Sequence, residues 1–129
     1  MGSRKAEKPL HYDLEVWKDA MRLARGIYRA SVDFPDEERF GLTSQIRRAA
    51  VSVASNIAEG AGRGSKLEYA RHLRIARGSL MEVDTQLWIA RDLGFTEDIA
   101  ELQGLIQRVA AMLSALINSK TKAFKESLQ

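Results

Sequence analysis

The sequence predicts an all-α protein, an antiparallel up-down four-helix bundle built as one domain. Apolar residues recur at steps of three and four over most of the chain, which is the spacing of an amphipathic helix. Nine glycines, two prolines and 7% aromatic residues are too few for an architecture of short strands and turns. A chain of 129 residues buries a single core, so four helices with short connections should pack as one bundle.

The first helix is predicted to begin after Asp13, a candidate N-cap, and to end near Phe34-Pro35, because the residue before a proline disfavours helical geometry. Residues 1–12 precede it as a flexible arm. The arm lacks the apolar stretch of a secretory signal, and the longest nearly apolar run, 109–117, is about half as long as a membrane span. We therefore expect a cytoplasmic protein with no membrane segment.

The second helix is predicted to begin near Leu42 and to end at the glycines that occupy positions 60, 62 and 64. Ser65 and Glu68 then match the capping box that starts a third helix. The seam of the third helix has the 4-3 spacing of a left-handed bundle and consists of Tyr69, Leu73, Ala76, Leu80, Val83, Leu87 and Ala90.

Gly94 is expected to stop the third helix, and Thr96 to cap the fourth. The bundle thereby covers residues 13–119. Residues 120–129 are expected to form a frayed tail.

The third helix carries more apolar surface than one bundle seam uses. The surplus residues lie outside the seam and are Leu67, Ile75, Met81, Trp88 and Ile89. We predict that they form an interface between identical copies of the chain. Scattered exposure of single apolar residues is the alternative, since soluble proteins tolerate it.

Positive charge is concentrated in one part of the sequence. Residues 43–79 hold seven basic and two acidic side chains, whereas the whole chain has a net charge of only +3. The basic residues of this segment are Arg47, Arg48, Arg63, Lys66, Arg71, Arg74 and Arg77. The last four residues of this list lie on the third helix, where they span an arc of about 140° and could follow a phosphate backbone. A solvated face with internal ion pairs is the alternative.

The residues that catalysis would need are missing. Zero cysteines excludes a thiol nucleophile and Cys-ligated metals, and the two histidines, His11 and His72, belong to no metal motif. We interpret His72 as a surface residue paired with Glu68. The glycines at 60–64 follow a helix, whereas nucleotide-binding glycine loops follow a strand. The sequence therefore predicts no enzyme activity, no cofactor and no metal.

Two segments, GLTSQIRRAAVSVASNIAEGAGR (41–63) and LRIARGSLMEVDTQLWIARDLGF (73–95), carry a family resemblance. With them the chain resembles, over about residues 10–119, the bacterial four-helix bundle family of large-subunit ribosomal RNA intervening-sequence proteins. It is also similar to the accessory variability determinant of diversity-generating retroelements. The resemblance implies a homopentameric ring and, for the retroelement branch, a basic surface for nucleic acid and a reverse-transcriptase partner.

Our first hypothesis is a non-enzymatic, oligomeric bundle that binds RNA or DNA through phosphate contacts. The rival hypothesis is a protein-interaction or scaffold module with no role in nucleic-acid binding.

Overall fold

A computed structural model describes residues 8–129. It contains four long helices, α1 (Glu15–Ser31), α2 (Leu42–Gly62), α3 (Lys66–Asp92) and α4 (Ala100–Ser127), with short 3-10 turns at Leu10–Asp13 and Asp36–Glu38. No strand occurs among the described residues. The all-α class with four helices is therefore confirmed.

Contacts between neighbouring helices show that each runs antiparallel to the next. Each helix packs on two others, in the cyclic order α1, α2, α3, α4. The start of α2 meets the end of α1, and Thr121 near the end of α4 receives a hydrogen bond from Arg74 in the first half of α3. The bundle thus has a connector end, which holds residues 63–65 and the end of α4, and a loop end, which holds residues 32–41 and 93–99.

The predicted seams form the core. Leu73, Leu80 and Val83 of α3 are completely buried, as are Ile46 and Ile57 of α2. The spacing of three and four places each of these side chains over the same stripe of its helix, so burial follows directly from the pattern.

Two predicted helix starts are wrong, whereas the predicted start and stop of α3 are confirmed. Asp13 lies inside the 3-10 turn and Leu14 occupies the N-cap of α1, while α4 begins only at Ala100, too late for Thr96 to cap it. Ser65 caps α3 by accepting a hydrogen bond from the Glu68 N–H. At the other end of α3, Gly94 has φ +76° and its N–H donates to a carbonyl of the last turn, as in a Schellman motif.

Gly60 does not end α2, because the helix continues through Gly62. A Cβ at position 60 would lie 2.9 Å from the Cβ of His72 and 3.2 Å from the backbone oxygen of Tyr69. The missing side chain lets α2 and α3 approach closely where they meet at the connector end.

The fourth helix extends to Ser127, through residues assigned above to a frayed tail. Arg74 donates a hydrogen bond of 3.0 Å to the Thr121 hydroxyl, and the Lys120 ammonium lies 4.9 Å from the centre of the Tyr69 ring. These contacts with α3 hold the added turns in place. In the predicted arm, residues 1–7 lie outside the described part of the chain, and residues 10–13 form the first 3-10 turn.

Candidate nucleic-acid interface

The structure groups five of the seven predicted basic residues in the connector half of the bundle. Arg63 lies in the connector itself, and the other four lie on the first half of α3. The end of α4 packs beside this half of α3 and adds three lysines. We call the combined set the connector surface: Arg63, Lys66, Arg71, Arg74, Arg77, Lys120, Lys122 and Lys125.

The three lysines of α4 were missed because their segment was expected to fray. A sequence signal for the longer helix does exist, since Phe124 follows Ile117 by seven residues and Ala123 follows Leu116 by seven. Phe124 and Ala123 are half-buried. The apolar repeat therefore continues past residue 119, and it carries the lysines to the side of α3.

The other two predicted basic residues lie elsewhere. Arg47 and Arg48 are near the start of α2, about 22 Å along the helix axis from its connector end. The Arg47 guanidinium donates to the Ser31 hydroxyl at 2.7 Å and stacks 4.8 Å from the centre of the Tyr28 ring. Arg47 thus joins α2 to the last turn of α1, and the predicted set does not form one continuous surface.

Acidic residues collect at the opposite end of the molecule. The loop end holds Asp33, Asp36, Glu37, Glu38, Asp92, Glu97 and Asp98. Few basic residues lie in the same segments, namely Arg39 in the loop after α1 and Arg91 in the last turn of α3. The small net charge of +3 therefore conceals a basic half and an acidic end, which only the antiparallel folding of the chain separates.

The five predicted interface residues all face outward from α3. Their exposed fractions run from 39% for Trp88 to 50% for Leu67. Leu93 extends the same helix with 61% exposure. Leu67 and Ile75 lie among the arginines of the connector surface, whereas Met81, Trp88 and Ile89 lie on the half of α3 nearer the loop end.

The interpretation of His72 as a surface residue is wrong. His72 is 3% exposed and packs against Gly60, so its ring is enclosed between α2 and α3. One ring nitrogen lies 3.2 Å from the backbone oxygen of Glu68, and the other lies 3.4 Å from a carboxylate oxygen of Glu59. The position is buried because Gly60 leaves room for it, and spacing within α3 alone does not reveal this.

A polar seam joins the middle of α2 to α3. The hydroxyls of Ser52 and Ser79 lie 2.8 Å apart, and the Asn56 amide donates to the backbone oxygen of Ser52 at 2.9 Å. The Ser52–Ser79 bond joins the two helices and fixes their relative position, whereas the Asn56 bond lies within α2.

Tyr69 lies where α2, α3 and α4 meet at the connector end. Its ring packs against Gly60 on one side, and the Lys120 ammonium lies over the ring. Burial raises the pKa of the Tyr69 phenol above its ordinary value of 10.0. The phenol therefore stays protonated throughout the physiological range.

Among residues 8–129, no cluster of three or more His, Cys, Asp and Glu side chains is arranged to hold a metal ion. Within the same range, no helix combines the length and the apolar character that crossing a bilayer requires.

These features define a class of protein: a helical bundle with a basic half, an acidic end and an apolar outer face on one helix. The family described as 23S rRNA-intervening sequence protein matches residues 12–115, and the chain belongs to that family. The match covers all of α1, α2 and α3 and the first half of α4. No curated protein matches the chain with significant similarity.

Proposed function

We propose that this protein is a non-enzymatic, oligomeric bundle that binds RNA or DNA through phosphate contacts made by the connector surface. The main support for this proposal is that folding gathers eight basic side chains from α3, α4 and the connector into one half of the molecule. Basic side chains outnumber the acidic ones described in this half, which are Glu59, Glu68 and Glu126 on α2, α3 and α4 and Asp13, Glu15 and Asp19 around the start of α1. A nucleic acid presents a row of negative charges that suits such a surface.

The arginines of this surface are available to phosphates. Arg71 and Arg74 have exposed side chains, and their partners, Glu68 and Thr121, are themselves partly exposed. An exposed ion pair contributes little to stability, so a phosphate can replace Glu68 at small cost. Arginine also binds phosphate with two parallel hydrogen bonds, which suits it to this contact.

Titration of labelled single-stranded RNA and duplex DNA at several salt concentrations tests the proposal. For duplex DNA, the slope of log K against log salt should be about −0.9 for each phosphate contacted. Arg71→Glu combined with Arg74→Glu should weaken binding at least tenfold and make the slope less steep by about two. Absence of binding at low salt would refute the proposal.

A matched control makes the same change of charge at the loop end. Arg39→Glu combined with Arg91→Glu alters two exposed arginines there and should leave the affinity within about twofold. Equal weakening by both double variants would show that only net charge matters, and the connector surface would then not be the binding site.

Self-association is the second part of the proposal, and the exposed apolar face of α3 supports it. We propose that this face packs against another copy, in the ring of five that the family resemblance implies. Because Arg71 and Arg74 lie among these apolar residues on the surface of α3, such a contact brings the arginines of one copy close to those of the next. Neighbouring copies would then extend the connector surface and increase its potential.

Light scattering with a matched pair of variants tests this part. Ile89 on α3 and Val51 on α2 are both β-branched, both helical and both 43% exposed. Ile89→Asp should reduce the assembly to 14.4 kDa chains, and Val51→Asp should not. A wild-type protein that is monomeric at micromolar concentration would refute self-association.

The same apolar face also favours the scaffold function as a second candidate. In that case a different protein covers the face, and the basic residues keep the chain soluble. Capture of a partner protein that persists after nuclease treatment and is lost in Ile89→Asp, together with no nucleic-acid binding, would favour the scaffold.

A further inference from the structure

A groove between α1 and α4 contains a second group of basic side chains. It encloses about 580 Å³, which is within the size range of small-molecule sites. Its walls carry Arg22, Arg25 and Arg29 from α1 and Arg108 from α4. Sequence analysis missed this group because the acidic residues of the following loop cancel its charge in a count along the chain.

One end of the groove is organised by a buried carboxylate. Asp19 is 5% exposed and bridges the guanidinium groups of Arg22 and Arg108, which come from opposite walls. Each arginine uses one nitrogen in its bridge and keeps other N–H donors for a ligand. Since Asp19 holds both guanidinium groups in place, an anion would bind them with little loss of side-chain freedom.

The other end of the groove is acidic. Glu101 lines it beside Asp98 and Arg29, and Glu101 has no ion pair or side-chain hydrogen bond within residues 8–129. Arg22 and Arg29 are seven residues apart on α1, so the two ends are separated by about 10 Å. The groove therefore offers donors for an anion at one end and an acceptor for N–H or O–H groups at the other.

The floor between the two ends is apolar. Leu102 and Leu105 are each 9% exposed and contribute the lower surface. Gly26 lets Leu102 pack directly on the α1 backbone, since a Cβ there would lie 2.6 Å from the Leu102 methyl carbon. Gly104 borders open space and leaves the floor accessible.

From this arrangement we infer that the α1–α4 groove binds a nucleoside phosphate. The phosphate lies between Arg22, Arg25 and Arg108, the ring system lies over the apolar floor, and Glu101 accepts a hydrogen bond from the base or ribose. The ligand is either a free nucleotide or one nucleotide of a single strand, because both present the same groups. The inference does not depend on the connector surface.

Calorimetric titration with adenosine 5′-monophosphate tests the inference, with inorganic phosphate and adenosine as half-ligands. The nucleotide should bind at least tenfold more tightly than either half-ligand. Arg25→Glu should weaken nucleotide binding at least tenfold. Arg25 has no ion pair or side-chain hydrogen bond within the described residues, so this change should leave the fold intact, as circular dichroism can verify.

Two further variants locate the two ends of the ligand. Glu101→Gln should lower nucleotide affinity towards that of phosphate without weakening phosphate itself, because only the acidic end is altered. Arg39→Glu makes the same charge change as Arg25→Glu but lies in the loop after α1, and it should have no effect. Absence of saturable nucleotide binding, or equal weakening by Arg39→Glu, would overturn the inference.

Competition distinguishes the two sources of the ligand. If oligoadenylate displaces the mononucleotide in the Arg71→Glu/Arg74→Glu variant, the groove accepts a nucleotide within a strand. If it does not displace it, the groove is specific for the free nucleotide. Both results require nucleotide binding in a chain whose connector surface is disabled, so failure of the proposed function and failure of this inference remain separable.

Discussion

Substitution of Gly60 by alanine should destabilise the bundle, although alanine is the better helix former. The new Cβ would lie 2.9 Å from the Cβ of His72 and 3.2 Å from both the backbone oxygen and a ring carbon of Tyr69. One is a backbone atom, one is a Cβ fixed to the backbone, and one belongs to a ring held between helices. None of them can move aside without a shift of α3. Overpacking of this kind costs about 1–3 kcal/mol.

Gly62 provides the matched control for this prediction. It also lies in the last turn of α2, but a Cβ there meets no atom within 4 Å. Replacing glycine by alanine in a helix gains up to about 1 kcal/mol, and both variants receive a gain of this kind. Comparison of the two variants therefore isolates the clash with His72 and Tyr69.

Urea and thermal unfolding followed by circular dichroism measure the difference. Gly60→Ala should have a free energy of unfolding about 1–3 kcal/mol below that of Gly62→Ala, at equal protein concentration. For a chain of this size, that corresponds to a melting temperature lower by roughly 4–12 °C. Equal stability of the two variants would show that the α2–α3 contact is not limited by the missing side chain.

Three other predictions concern stability and titration. Asp19→Asn should lower the free energy of unfolding by about 1–3 kcal/mol, because it removes a buried charge that pairs with two arginines; exposed Asp36→Asn should change it by less than about 0.5 kcal/mol. Ser79→Ala should cost about 1 kcal/mol through loss of the bond to Ser52, and no loss in urea unfolding would contradict that bond. Burial raises the pKa of Tyr69, so this phenol should ionise above pH 10.0. The difference between the ultraviolet titrations of the wild type and Tyr69→Phe measures its midpoint, and a midpoint at or below pH 10.0 would contradict its burial.

The Tyr69 shift also has a consequence for stability. Its pKa is raised in the folded chain, so the folded state holds its proton more strongly than the unfolded state does. The resulting stabilisation is fully present below pH 10.0 and is lost as the pH rises through the higher folded pKa. Tyr69→Phe should reduce the loss of stability in that alkaline range.

The sequence alone determined that the chain forms four helices and which residues make up their core. Steps of three and four placed Leu73, Leu80 and Val83 in the core correctly, because within a helix such spacing maps directly onto one face. The capping role of Ser65 and the stop at Gly94 were equally readable, since both depend on chemistry within a few residues. The surplus of apolar residues on α3 was readable as well, since all five surplus side chains are exposed.

Only the tertiary structure decided which charges meet and which polar residue is buried. Lys120 and Arg74 are 46 positions apart, and although the apolar repeat extends α4 past residue 119, no local pattern states which helix that extension lies beside. The α1–α4 groove likewise joins residues from the first and the last helix. His72 is buried because Gly60 on another helix leaves room for its ring. Local spacing fixes the face of a helix, whereas the neighbours of that face depend on how antiparallel helices align and on where each one ends.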